Sequence, residues 1–288
     1  MNESDYSADD WLGLDWSEWH RLDADNSRYS EMPRTAGLYR VRHQSRSGLE
    51  YIGQTGRSLR GRVQSLRNGT YAEQMPYSDP HTAAPCLWAL REEHGPELEV
   101  SVAAPVEATE KQERYGMEEA LIACYRREAG ESPTANFGRI IEGYEKSRSR
   151  STDDRGGKRP SDSERTQNEL PGRGPLDWTN REAILSETWM GLEWTDPAPL
   201  RDVSTDVPAD SGVYMIWDSD DPLPLEYIGQ SANIRSRLRT HNRNRDSELH
   251  FRYGLLDGHD HQHERSEVET DLLGAHWLIV GSSPRDQF

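Results

Sequence analysis

The sequence predicts an α+β protein built as two small domains in tandem, each a three-stranded antiparallel sheet flanked by helices. Two internal echoes carry that expectation. Gly37-Leu38-Tyr39 precedes Tyr51-Ile52-Gly53-Gln54, and Gly212-Val213-Tyr214 precedes Tyr227-Ile228-Gly229-Gln230. The leading glycines stand 175 positions apart and the second pair 176. That register is too long for a solenoid period and suits a whole small domain. Upstream, Trp11-Leu12-Gly13-Leu14-Asp15-Trp16 returns as Trp189-Met190-Gly191-Leu192-Glu193-Trp194. A chain of 288 residues has room for two cores of about 110–130 residues each.

The elements follow in order. Residues 1–30 form an acidic, tryptophan-bearing arm. The first domain covers 31–145. Its hairpin pairs 37–42 with 50–53 through a turn at Ser45–Gly48. Leu59, Val63 and Leu66 give residues 58–67 a helical face. A second helix is expected over 85–93, a third strand over 97–102 and a long helix over 107–127, with Gly130 just past its end. Residues 146–174 hold Arg-Ser pairs, Gly156-Gly157, Pro160 and Pro171 and almost nothing apolar, which reads as a flexible linker. With eight basic and five acidic residues it is the one net-positive stretch of any length. The second domain, 175–288, repeats the hairpin at 212–217 and 225–229, a helix at 233–242, a strand at 250–253 and a final helix at 267–278.

Composition sets the environment. The formal charge is −17, from 51 acidic and 34 basic residues, and only Lys111, Lys146 and Lys158 are lysines. Low hydrophobicity with high charge is also a signature of disorder, but nine tryptophans, twelve tyrosines and strand-like runs argue for a folded protein. The expectation is an acidic protein of haloarchaeal type, working in a high-salt cytoplasm that screens its self-repulsion. No run approaches the roughly 20 apolar residues of a membrane span, and the first residues have no signal-peptide character. Cys86 and Cys124 make neither a disulfide framework nor a four-ligand zinc site. No Walker, Rossmann or zinc-finger pattern is present. His259, Asp260, His261 and His263 read as an exposed loop rather than a metal cluster.

The ordered series Gly-x-Tyr, Tyr-Ile-Gly, an arginine on the next helix, Glu-x-x-Leu-Ile and Pro-x-x-Asn resembles the GIY-YIG nuclease family. In the first copy the matching residues are Tyr39, Tyr51, Arg62, Glu118 and Asn136, with Gly37 and Gly53. Arg62 is chosen over Arg60 because the motif carries one extra residue before the arginine. Glu118 is chosen over Glu119 because it stands three residues before Leu121-Ile122. In the second copy the residues are Tyr214, Tyr227, Arg237, His241 and Glu269, with Gly212 and Gly229. Each copy departs once: Leu66 stands where the second copy has His241, and Gln287 stands where asparagine is expected.

The resemblance implies a metal-dependent endonuclease that hydrolyses phosphodiester bonds, with nucleic acid, DNA in the first instance, as partner and Mg²⁺ or Mn²⁺ as cofactor. Glu118 and Glu269 would hold the metal, since Mg²⁺ keeps several waters and takes further ligands from substrate phosphate. Arg62 and Arg237 would grip phosphate in a fork. Tyr39 and Tyr214 would serve as general bases, and Tyr51 and Tyr227 would orient water or phosphate. Two linked sites would let a monomer cut both strands in one encounter, because a flexible linker of about 29 residues spans roughly 27–32 Å. The alternatives are one catalytic copy beside a substrate-positioning copy, and a non-catalytic nucleic-acid-binding scaffold.

Overall fold

The computed structural model describes residues 5–24, 28–77, 83–203, 206–245, 248–258 and 261–288. The chain divides into two compact units, Met1–Arg114 with Ser132–Pro171, and Tyr115–Glu131 with Gly172–Phe288.

In unit 1, strands β1 (His20–Arg21), β2 (Gly37–His43), β3 (Tyr51–Thr55) and β4 (Leu98–Ala103) form one antiparallel sheet in the order β1-β4-β2-β3. Helix α1 (Leu59–Thr70) starts at Ser58, whose hydroxyl accepts the Gly61 N–H at 3.2 Å, satisfying a donor that has no intrahelical partner. Its buried Leu59, Val63 and Leu66 join residues of helix α2 (Ala83–His94) and Tyr39, Val41, Val100 and Val102 of the sheet in one core. Strand alternation thus turns the tyrosine of Gly-x-Tyr toward α1.

Unit 2 repeats the plan. Strands β7 (Ala198–Pro199), β8 (Gly212–Asp218), β9 (Tyr227–Ser231) and β10 (Leu249–Leu255) are ordered β7-β10-β8-β9. Tyr39 pairs with Gly53 across the first hairpin, and Tyr214 pairs with Gly229 across the second. Helix α4 (Ile234–Arg243) is capped by Asn233, which accepts the Ser236 N–H at 2.9 Å. One face of this sheet packs on Ile234 and Leu238 of α4. The other packs on Trp189, Trp194 and residues of helix α5 (Gln262–Val280).

Both sheets are four-stranded, not three-stranded as expected. The extra strand is only two residues long in each unit, and in unit 2 it contains Pro199, so neither shows strand periodicity in sequence. The two tryptophan motifs fold alike as well. Leu12 and Met190 take φ of 55° and 56°, followed by Gly13 and Gly191 at 73° and 71°. Trp16 and Trp194 donate their indole N–H to the carbonyls of Trp11 and Trp189 at 3.1 and 3.0 Å. Each unit also buries an arginine, from different strands. Arg40 of β2 lies 4.3 Å from the Trp16 ring, opposite Ser101; in unit 2 the buried arginine is Arg252 of β10, opposite Met215.

Residues 146–171, expected within the linker, group with unit 1. There β5 (Tyr144–Glu145) pairs with β6 (Gly157–Lys158), and Arg155 donates to the Met75 carbonyl at 2.9 Å. Helix α3 (Lys111–Ala129) begins in unit 1, and from Tyr115 onward it belongs to unit 2. In unit 2 it runs antiparallel to α5 with reciprocal contacts. A Cβ on Gly274 would lie 2.5 Å from Ala123 Cβ, and one on Gly116 would lie 2.8 Å from Trp277 Nε1. The positions matching Gly116 and Trp277 are Glu267 and Arg126, and these form an ion pair at 3.5 Å. Arg126, fully buried, also donates to both Asp271 oxygens, at 2.8 and 3.1 Å. Among the described residues no helix is long and apolar enough to cross a membrane.

Candidate active site

The site of unit 2 is assembled around Gly229. A Cβ there would sit 2.6 Å from both Tyr214 Cζ and Tyr227 Cε1, so the missing side chain lets both rings lie against the strand. Their centroids are 5.9 Å apart and nearly parallel. Arg237, four positions beyond the cap of α4, donates through Nε to the Tyr214 hydroxyl at 3.1 Å and through Nη2 to the Tyr227 hydroxyl at 3.3 Å. One turn further on, His241 meets the Tyr214 hydroxyl through Nε2 at 2.9 Å.

The tautomer of His241 follows from its other partner. Arg245 donates to Nδ1, so the ring proton lies on Nε2 and points at the Tyr214 oxygen. Burial, reinforced by Arg245 and Arg237, pushes the His241 pKa down to about 3 and keeps the ring neutral. Two N–H donors therefore converge on one phenol oxygen. Burial, the largest influence, still raises the Tyr214 pKa, with Tyr227 adding to it, while Arg237 acts in the opposite sense. At rest Tyr214 is a protonated phenol whose oxygen already faces donors suited to a phenolate.

Strand β9 is a sheet edge, and its outward amides would be unpaired without side-chain partners. Gln287 Oε1 accepts the Ile228 N–H at 3.0 Å. Glu269, on α5, accepts the Gln230 N–H, and burial followed by the proximity of Glu119 pushes its pKa up to about 8. In unit 1 Asn136 serves the same edge: Oδ1 accepts the Ile52 N–H at 3.0 Å and Nδ2 donates to the Ile52 carbonyl at 2.9 Å. Gln287 thus reproduces the accepting half of the asparagine's role.

The hairpin of unit 1 is matched closely. A Cβ on Gly53 would lie 2.5 Å from Tyr51 Cε1 and 2.8 Å from Tyr39 Cζ, and the two ring centroids are 5.8 Å apart. Gly37 and Gly212, at the hairpin mouths, leave room for Leu59 and Ile234; a Cβ would lie 3.2 Å from Leu59 Cγ and 3.3 Å from Ile234 Cγ1. Arg62 occupies the helical position of Arg237, each four residues past its cap. Leu66 fills the position of His241 and is wholly buried, so this site lacks the histidine donor. Glu118 stands on the stretch of α3 that belongs to unit 2, whereas Tyr39, Tyr51 and Arg62 belong to unit 1.

Sequence reasoning missed three contributors in unit 2. Arg245 orients His241 and pairs with Asp286 at 3.2 Å; its spacing of four from His241 was the available signal. Glu119, set aside in favour of Glu118, bonds Thr270 and has its pKa pushed up to about 7, chiefly by burial. Arg265 donates to the Gln230 side chain at 3.0 Å. Of the histidine-rich stretch, His259 and Asp260 lie outside the described residues. His261 caps α5, and its ring is stacked on that of His263, so these two begin a helix rather than sit in a loop.

A lone carboxylate with space for water and phosphate suits Mg²⁺ better than a cation that needs a full protein cage. Burial keeps the Glu269 carboxyl protonated at rest, and a cation beside it would favour the ionised form. Among the described residues no cluster of three or more His, Cys, Asp or Glu could form such a cage.

Against this geometry, residues 210–266 match the GIY-YIG catalytic domain. The stretch includes Tyr214, Tyr227, Arg237 and His241 and ends three residues before Glu269. Over 50 residues the chain is 46% identical to Excinuclease cho of Escherichia coli strain K12, and equally to Excinuclease cho of Escherichia coli O157:H7. In both cases the match covers 17% of this chain and 17% of the relative, so it spans less than a fifth of their length. No solved structure matches the chain.

Proposed function

We propose that the chain is a metal-dependent endonuclease hydrolysing phosphodiester bonds in DNA, built from two GIY-YIG-like copies and working as a monomer in a salt-rich cytoplasm. The observation that carries this reading is the Tyr214 oxygen, held between Arg237 Nε at 3.1 Å and His241 Nε2 at 2.9 Å. In hydrolysis the water oxygen bonds to phosphorus, the bond to the leaving oxygen breaks, and the water gives up a proton. Tyr214, having first released its own phenolic proton to solvent water, takes that proton as phenolate, and the two donors oppose the burial that disfavours its charged form. Arg237 binds the phosphate, and Tyr227 orients phosphate or water. Glu269 would hold Mg²⁺ or Mn²⁺, which supplies Lewis-acid stabilisation of phosphate and leaving oxygens when bound. Tyr39, Tyr51 and Arg62 take the corresponding roles in unit 1.

A second reading, one catalytic copy beside a substrate-positioning copy, is favoured by Leu66, which denies Tyr39 a histidine donor. Cleavage of supercoiled plasmid at high KCl with Mn²⁺ or Mg²⁺ separates the readings. Linear product from wild type and only nicks from both Glu118→Ala and Glu269→Ala support two sites. Loss in Glu269→Ala alone assigns catalysis to unit 2. A folded wild type that cuts neither plasmid, branched DNA nor RNA is a binding scaffold, and the nuclease proposal fails.

A further inference from the structure

The glutamine that follows each Tyr-Ile-Gly is gripped by a buried arginine on the helix that also carries the family glutamate. In unit 2, Arg265 Nε donates to Gln230 Oε1 at 3.0 Å, and Arg265 is buried. One helical turn later, Glu269 accepts the Gln230 backbone N–H. Positions four apart share a helix face, so α5 holds one residue of the β9 edge by side chain and main chain at once. In unit 1, Arg114 Nε donates to Gln54 Oε1 at 2.8 Å while its Nη1 donates to the Ala108 carbonyl at 2.8 Å. Gly56 leaves space for that guanidinium; a Cβ there would lie 2.6 Å from Arg114 Nη2.

The same pairing thus occurs twice, at equivalent places, with Arg-x-x-x-Glu as its sequence trace: Arg114 and Glu118, Arg265 and Glu269. A guanidinium removed from water is retained at a cost that simple packing does not require. Glu269 takes its N–H from the very residue that Arg265 fixes, so the carboxyl's aim toward a cation depends on Gln230 staying in place. Ligand orientation by such outer partners commonly tunes metal affinity.

We propose that Arg265 is a positioning residue for the metal-bearing carboxylate, acting through Gln230, and that Arg114 holds Gln54 in the same way. The inference rests on the nuclease reading for its catalytic consequence, but not for its geometry. Arg265→Gln and Gln230→Ala are compared with wild type by amide hydrogen exchange, by Mn²⁺ binding followed with EPR, and by plasmid cleavage. Exchange at the Gln230 amide should accelerate at least severalfold in Arg265→Gln while amides of β8 and β10 keep their protection. Mn²⁺ affinity should fall on the order of 10-fold or more, and Arg265→Lys, which restores a donor, should recover part of both. A wild type that cuts nothing defeats the nuclease reading, and the exchange result still decides the clamp. Unchanged Gln230 exchange in Arg265→Gln overturns the proposal, as does unchanged Mn²⁺ affinity in a variant of a wild type that binds the ion. If Arg265→Gln does not fold, Gln230→Ala, which spares the helix, is held to the same Mn²⁺ criterion.

Discussion

Replacing Gly229 by alanine would drive a methyl group against both site tyrosines at once. The added Cβ would lie 2.6 Å from Tyr214 Cζ and from Tyr227 Cε1, whereas carbon atoms pack at about 3.5–4.0 Å. Each ring must therefore withdraw by about 1 Å. Tyr214 cannot do so freely, being fully buried and bonded to Arg237 and His241. Overpacking of this kind costs about 1–3 kcal/mol, a fall in Tm of roughly 2–12 °C for a unit of this size. Displacing a reacting group by that distance costs on the order of 100-fold in rate. Gly281→Ala is the control: its Cβ meets open space, but its φ of 82° makes alanine cost about 1–2 kcal/mol. Calorimetry and plasmid cleavage on the two variants separate lost stability from lost geometry. A Gly229→Ala protein that melts and cuts like wild type would refute the packing argument.

Three more outcomes follow from the burial of charge. Arg126→Met strands Asp271 and Glu267 without their cation, and the denaturant midpoint should fall by the equivalent of about 3–5 kcal/mol; a loss under 1 kcal/mol would contradict the buried ion pair. The His241 pKa is depressed to about 3 on folding, so its stabilisation is complete above the unfolded value near 6.5 and is lost as pH falls toward 3. Between pH 7 and 4 wild type should lose on the order of 3 kcal/mol that His241→Leu does not, as read from urea titrations at each pH. Glu119 has the opposite sign, because its raised pKa of about 7 costs stability once pH exceeds the unfolded value. Glu119→Gln should therefore stabilise at pH 8, by about 1–3 kcal/mol, and make little difference at pH 4; equal Tm at pH 8 would argue against a buried carboxyl there.

Much of the site was legible because glycine and tyrosine at paired strand positions leave an ordered signature. Tyr39 with Gly53 and Tyr214 with Gly229 are cross-strand partners in both hairpins, and the caps Ser58 and Asn233 set Arg62 and Arg237 at one helical position. What sequence could not show depends on long-range packing. The fourth strands are too short for periodicity, and Ala198–Pro199 contains a residue that normally argues against a strand. The C-terminal part of α3 groups with unit 2 through Arg126 and its acidic partners, contacts that bridge 145 positions in the case of Asp271. The clamp on Gln230 left a trace in Arg-x-x-x-Glu, but in an arginine-rich chain that spacing is common, and only burial of the guanidinium distinguishes it.

The most direct test of the nuclease assignment is Tyr214→Phe, which removes one hydroxyl and leaves the packing against Gly229 intact. Its cleavage of supercoiled plasmid with Mn²⁺ at high KCl is compared with wild type and with Tyr39→Phe. If the Tyr214 oxygen takes the proton, Tyr214→Phe should retain its fold and lose at least 100-fold in rate. Cleavage by Tyr214→Phe at the wild-type rate, with Tyr39→Phe equally active, would contradict a tyrosine-centred site in either unit.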